Sequence, residues 1–319
     1  MRFAPMKATP RGLWRRTPPA IFAPTLGLLG LGLGWRRAAG AYGLPPGLPE
    51  MALGAVVLLA AFALLAYAGK GLRRPGVVLE DLRILPGRAG LSAGVLCLYL
   101  MALALGPLAG GAARGLLAAG MVAQLALSAA VLRVLATGPA AQRRVSPDWH
   151  LLLSGWIVAA MAAQGLGLPG LALPLFWVSL LCAAGIWLAS IAQFAREGVP
   201  APLRPLLAIH LSPMALLGTV AQGFGATGIA LSFGALSAVL ALALLLSARW
   251  LTAAGFTALW GAFTFPLAAT AGLWIALGWA VPGAIALSGA TLAIVPIAFR
   301  IYKLWAGGQL AVKTNAAIA

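Results

Sequence analysis

Ten apolar runs, separated by short polar or glycine- and proline-rich breaks, take up most of the 319 residues. The first begins at Pro19, and the others lie at about 49–69, 89–106, 112–134, 149–167, 171–193, 206–225, 227–247, 256–278 and 281–303. About 20 apolar residues carry a helix across a bilayer, so the pattern predicts ten transmembrane helices. The breaks at 168–170, 226 and 279–280 are so short that the helices flanking each must lie antiparallel and side by side. The chain therefore reads as an all-α integral membrane protein of five helical hairpins. A basic N-terminus at 1–18 precedes the ten-helix domain at 19–305, and a short tail follows at 306–319.

The hairpins share little sequence, but glycine is distributed unevenly between their two arms. The odd spans hold 16 glycines and the even spans 9. Small residues let helices approach closely in lipid, so the odd helices are expected to form an inner ring around a pore and the even helices an outer ring. Pro24, Pro213 and Pro266 also fall on odd spans, although Pro296 does not.

Composition and charge narrow the class. At 62% hydrophobic and 8% charged residues, with a mean hydropathy of +0.99, the chain is too apolar for a water-soluble domain. Its formal charge of +17 invites a nucleic-acid reading, but the cations are scattered over short connections rather than gathered on one face. Their alternation is informative: 19 of the 22 Lys and Arg residues fall on one side, and only Arg36, Arg37 and Arg114 on the other. The positive-inside rule then places both termini in the cytoplasm, as for a bacterial inner-membrane protein. The start of the chain imitates a signal peptide, but Pro24 interrupts its apolar run and Arg36 and Arg37 would oppose export of the next segment.

Candidate chemistry is sparse. Glu50, Glu80, Asp81, Asp148 and Glu197 all lie in connections or at span ends, which argues against a carboxylate-driven pump. Cys97 and Cys182 sit in apolar runs, where thiols serve as small apolar groups. No metal-ligand cluster or nucleophile constellation is visible, and no enzyme activity, metal or cofactor is expected. Polar rings at membrane depth are functional candidates, which selects His150 and His210, although His150 beside Trp149 also suits the headgroup belt and His210 also suits a packing role.

The stretch Trp260 to Trp274, WGAFTFPLAATAGLW, sets a proline behind two phenylalanines among small residues. Pro266 removes a backbone donor and is expected to kink the helix, so the freed polar groups must face protein or a wet path. A bulky ring at such a kink can act as a plug or can simply pack.

The run Trp260, Ala262, Phe263, Thr264, Phe265, Pro266 resembles the ninth-helix signature of the tellurite-resistance/dicarboxylate transporter family, which includes the plant slow-type anion channels. Phe22 followed by Leu26-Gly27-Leu28, with Pro24 where the family pattern differs, is similar to its first helix. Pro147, His150-Leu151 and Gly155 resemble its fifth, and Ser212-Pro213 its seventh. The resemblance implies an anion channel or channel-like transporter, assembled as a homotrimer with one pore per subunit, in which Phe265 gates the pore and Pro266 aims it. Phe22, Pro24, His150, Ser154, His210, Pro213, Phe263 and Thr264 become pore-lining candidates, and Arg36, Arg37 and Arg114 an anion-attracting mouth. Chloride, nitrate, sulfite, tellurite-derived oxyanions and dicarboxylates are the ligand classes to consider. One alternative is a proton-coupled exporter of an organic acid or sulfite. Another is a membrane haem protein with His150 and His210 as axial ligands, which their expected positions near opposite ends of different spans disfavour.

Overall fold

A computed structural model describes residues 14–139 and 143–319. The basic positions Arg2, Lys7 and Arg11 lie outside them. Among the described residues the chain is helical, without strands. Its α-helices are α1 (Phe22–Tyr42), α2 (Gly47–Arg73), α3 (Gly76–Leu82), α4 (Leu85–Leu105), α5 (Gly110–Thr137), α6 (Trp156–Gly165), α7 (Pro169–Phe194), α8 (Leu211–Gly223), α9 (Thr227–Leu246), α10 (Ala248–Leu251), α11 (Gly261–Ala276), α12 (Ala280–Ala306) and α13 (Gln309–Lys313). Short 3-10 stretches at Pro19–Ile21, Ala201–His210 and Ala258–Trp260 lead into α1, α8 and α11, and a π-helical turn at His150–Ser154 leads into α6. Eight of the helical segments among the described residues are long and apolar enough to cross a membrane; α1 and the shorter segment His150–Gly165 lie between them in the same bundle.

The sequence reading missed α3, which lies in the basic connection after α2. It also placed Pro24 and Pro213 mid-span. Both instead occupy the first turn of an α-helix, where the missing N–H has no intrahelical acceptor to lose. Only Pro266 of the three stands well inside its helix.

Four hairpins turn in one way. Gly43, Gly167, Gly225 and Gly278 adopt φ between 66° and 74°, a left-handed conformation that costs glycine nothing. The next residue then bonds back five positions: Leu44 to Ala39, Leu168 to Ala163, Ala226 to Ala221 and Trp279 to Trp274, at 2.9–3.0 Å. This is the Schellman closure that satisfies the orphan carbonyls of a helix end. Three of the 16 odd-span glycines therefore make turns rather than contacts.

Other glycines do make contacts. A methyl at Gly27 would overlap the Thr264 side chain, and one at Gly90 the backbone of Pro19. Such approaches let α1, α4 and α11 pack without a hydrophobic driving force, which lipid does not supply. Contacts run in a closed cycle from α1 to α4, α6, α8, α11 and back to α1, while α2, α5, α7, α9 and α12 each pack on the preceding member of that cycle. Burial follows the same division. The apolar windows of α4 and of the segments ending in α8 and α11 are 61–72% buried, against 17–33% in α2, α5, α7, α9 and α12. Leu58, Leu125 and Leu242 on the latter set point outward.

The first described residues and the end of the chain meet on one face of the bundle, where the Ala319 amide donates to the Arg15 carbonyl at 3.1 Å; this is called the terminal face below. Lys70 and Asp81 form an ion pair of 2.8 Å there with no solvent exposure. Asp81 also accepts from the Tyr67 hydroxyl and from the Ala317 amide, and Lys70 donates to the Thr17 carbonyl. Every strong acceptor and donor of the pair thus has a partner, which buried charge requires.

Candidate functional site

Small residues recur at helical spacing on the inward faces of the cycle, and bulky rings are few there. Gly30, Leu33, Gly34 and Arg37 fall at i, i+3, i+4 and i+7 on α1, and Phe265, Ala268, Ala269 and Gly272 repeat that spacing on α11. Side chains so spaced share one helix face. All eight line a single cavity, called the outer cavity because it lies away from the terminal face, completed by Leu100 and Leu103 of α4, Met161 of α6, and Leu216 and Thr219 of α8. Every helix of the cycle contributes.

A second cavity opens on the terminal-face side of Phe265. It is lined by Ala20, Gly90, Leu151, Leu206, Ala262 and Pro266 among others, and again draws on all five segments of the cycle. Much of its wall is the 3-10 and π backbone that precedes the α-helices, as non-helical backbone at membrane depth requires a protein-lined cavity. Pro266 leaves the Ala262 carbonyl without its usual i+4 donor at this wall.

The ring of Phe265 belongs to both linings and is 4% exposed. Each cavity offers about 40 Å³ of water-accessible volume, room for one or two waters at about 30 Å³ each. Across the ring, a methyl at Gly30 would come within 3.0 Å of Phe265 Cδ2. The ring therefore fills the gap between α11 and α1 that the glycine leaves.

Arg37 brings a cation into the outer cavity. Its Nη1 donates to the Gly272 carbonyl at 2.7 Å, and no carboxylate pairs with it among the described residues. Arg36 differs: it holds Glu50 in a bidentate pair and donates to the Ala104 carbonyl, so its charge is largely offset. Arg114 is exposed on α5, outside the cycle. Of the expected cationic mouth, Arg37 alone lines the cavity.

The expected lining residues divide similarly. Phe22 packs edge-on to Tyr67 and against Gly94, Phe263 packs against Trp260, and Pro24 meets Gly261. The Thr264 hydroxyl donates to the Ala23 and Gly261 carbonyls. None of the four lines a cavity around Phe265, because Phe263 and Thr264 lie about 100° per residue around the helix from it. Ser154, His150 and Pro213 do border a small third cavity of about 10 Å³ that also touches the Phe265 ring.

His150 and His210 correct the sequence reading. The odd spans run in the same direction, so both residues stand in the early turns of parallel segments and meet: His150 Nε2 lies 2.9 Å from His210 Nδ1. His150 Nδ1 is 2.9 Å from the Ser154 hydroxyl, and Trp187 donates to the His210 carbonyl. Two trans axial ligands would stand about 4 Å apart, twice a metal–imidazole bond. The pair is a hydrogen-bonded dyad and not a haem clamp.

Asp148 is buried beside Arg88 in a separate pocket near the terminal face. Burial pushes its carboxyl above the ordinary aspartate range, opposed by a hydrogen bond from Ser146 and by Arg88.

The described residues form a helical membrane bundle with a closed cycle of small-residue helices, a buried phenylalanine between two cavities and, lining one of them, an arginine with no carboxylate partner, a construction that suits a membrane channel or transporter. A model of the voltage-dependent anion channel family (SLAC1) matches residues 16–306. The chain belongs to that family, a multi-pass membrane family of anion channels and transporters. No curated protein matches the sequence.

Proposed function

We propose that anions cross along the axis of the cycle formed by α1, α4, the 150–165 segment, α8 and α11, and that Phe265 closes this path. The observation that carries the reading is the ring's membership of both cavity walls, with all other lining drawn from the same five segments. On this reading the chain makes ten spans with both termini in the cytoplasm of a bacterial inner membrane, and assembles as a homotrimer with a pore in each subunit.

Conduction then needs no deep binding charge. Arg37 supplies a positive potential in the outer cavity, while Thr219, Ser212 and the backbone groups of the 3-10 and π turns offer weak contacts. Such weak sites let an ion leave as readily as it enters. The site suits small anions from halide and nitrate to sulfite, tellurite-type oxyanions and compact dicarboxylates. Flux of an anion panel into liposomes carrying the purified protein tests the reading; absence of flux for every anion at normal folded yield, in Phe265→Ala as well as in the wild type, would overturn it.

The His150–His210 dyad favours one variant of this function. A hydrogen-bonded pair of imidazoles, one of which borders a cavity that touches the Phe265 ring, is an arrangement that can pass a proton from one ring to the next, as a coupled exporter of organic acids or sulfite requires. An imposed pH gradient that drives uphill anion movement in wild-type protein and not in His150→Gln supports coupling; identical downhill flux with and without the gradient removes it.

A further inference from the structure

On the terminal face, α2 and α12 both pack on α1 but make little contact with each other. The groove between them holds about 810 Å³ of water-accessible volume, some twentyfold more than either cavity around Phe265. Its rim is cationic, with Arg15, Arg16 and Lys303, and its wall is aromatic, with Trp14, Phe62 and Phe299.

No ion pair involves any of the three cations among the described residues. Arg15 gives Nη1 to the Ala319 main-chain oxygen, yet its Nε and that of Arg16 are buried without an acceptor. Buried donors without partners are rare in folded proteins. Below the rim the wall turns apolar: Phe62 lies between Trp14, which it meets edge-on at 6.3 Å, and Trp305, tilted against it at 5.8 Å, and Phe299, one turn before Lys303 on α12, is 68% exposed. Aromatic rings with cations above them are the arrangement of a membrane interface.

We propose that this groove binds an anionic glycerophospholipid, with the phosphate at Arg15, Arg16 and Lys303 and an acyl chain along Phe62 and Phe299. A soluble phosphate would use the rim and leave the aromatic wall bare; a zwitterionic lipid would use the wall and bring no net charge to the rim. The proposal is independent of the pore reading, since the groove lies outside the helix cycle.

Native mass spectrometry of the full-length protein in detergent micelles tests it, with phosphatidylglycerol, phosphatidylcholine and glycerol phosphate as separate probes. Wild-type protein is expected to retain phosphatidylglycerol in preference to the other two. Arg16→Gln/Lys303→Gln should weaken that retention about thirtyfold, from the loss of two interfacial cations, while Arg133→Gln/Arg249→Gln, with the same net charge change at exposed sites elsewhere, should not. Phe299→Ala should weaken lipid retention and leave glycerol phosphate binding unchanged. Equal retention by both double variants, equal retention of phosphatidylcholine, or binding of glycerol phosphate as tight as that of the lipid would each overturn the proposal. So would a disulfide between two subunits through Phe299→Cys, since the groove would then be covered by a second copy.

Discussion

Replacing Phe265 with alanine is expected to raise anion flux by about tenfold to a hundredfold. For an ion to pass in the wild type, the ring must leave a site in which it is 4% exposed. Exposing a buried phenylalanine costs roughly 1.5–3 kcal/mol, and each 1.4 kcal/mol is a factor of ten in population. Truncation removes that cost and joins two cavities of about 40 Å³ into one path. A ring that merely packs would behave otherwise, because Phe→Ala in a dry core costs about 3–5 kcal/mol and opens nothing. Flux per folded protein in liposomes separates the two, with Phe194→Ala on the outward face of α7 as the matched truncation. Unchanged or lower flux in Phe265→Ala at normal yield would refute the reasoning and leave the fold untouched.

Arg37→Gln should lower flux at least tenfold, a barrier change of about 1.4 kcal/mol, whereas Arg36→Gln should do less because Glu50 already offsets that charge; conductance recordings compare them. Lys70→Met should destabilise the protein by about 3–5 kcal/mol by stranding the buried Asp81 charge, and Lys70→Met/Asp81→Asn should recover most of it, as read by thermal unfolding in detergent. Asp148 has a folded-state pKa raised by burial, so its contribution to stability is full below its ordinary value of 3.8 and is lost as pH rises through the raised value. The stability gained by Asp148→Asn should therefore grow as pH rises above the ordinary value of 3.8, and a gap that shrinks as pH rises would contradict the assignment.

Much of the fold was legible because length, hydropathy and hairpin breaks are one-dimensional properties. Glycine led to the expectation of inner odd helices, and the contact cycle and greater burial of their segments accord with it, although Gly167, Gly225 and Gly278 serve turns. The site was harder to read. Phe263, Thr264 and Phe265 are adjacent in sequence, but only the last faces the cavities, and sequence adjacency cannot distinguish helix faces. The spacing Gly30, Leu33, Gly34, Arg37, repeated as Phe265, Ala268, Ala269, Gly272, was present in the sequence and identifies both inward faces. It also moves Arg37 from an outer mouth to the cavity wall. The dyad of His150 and His210, by contrast, depends on contact between separate hairpins, which local pattern does not encode. The pairing of Lys70 with Asp81 was hidden for the same reason, because both looked like ordinary residues of a polar connection.

The path itself is tested most directly by blocking it. Thr219 lines the outer cavity and is 7% exposed, and cysteine nearly matches its size. In a Phe265→Ala, Cys182→Ser background, Thr219→Cys treated with a small anionic methanethiosulfonate reagent should lose its anion flux as the thiol is modified, and recover it on reduction. Quantitative modification of that cysteine with flux unchanged would contradict the claim that anions travel through the helix cycle.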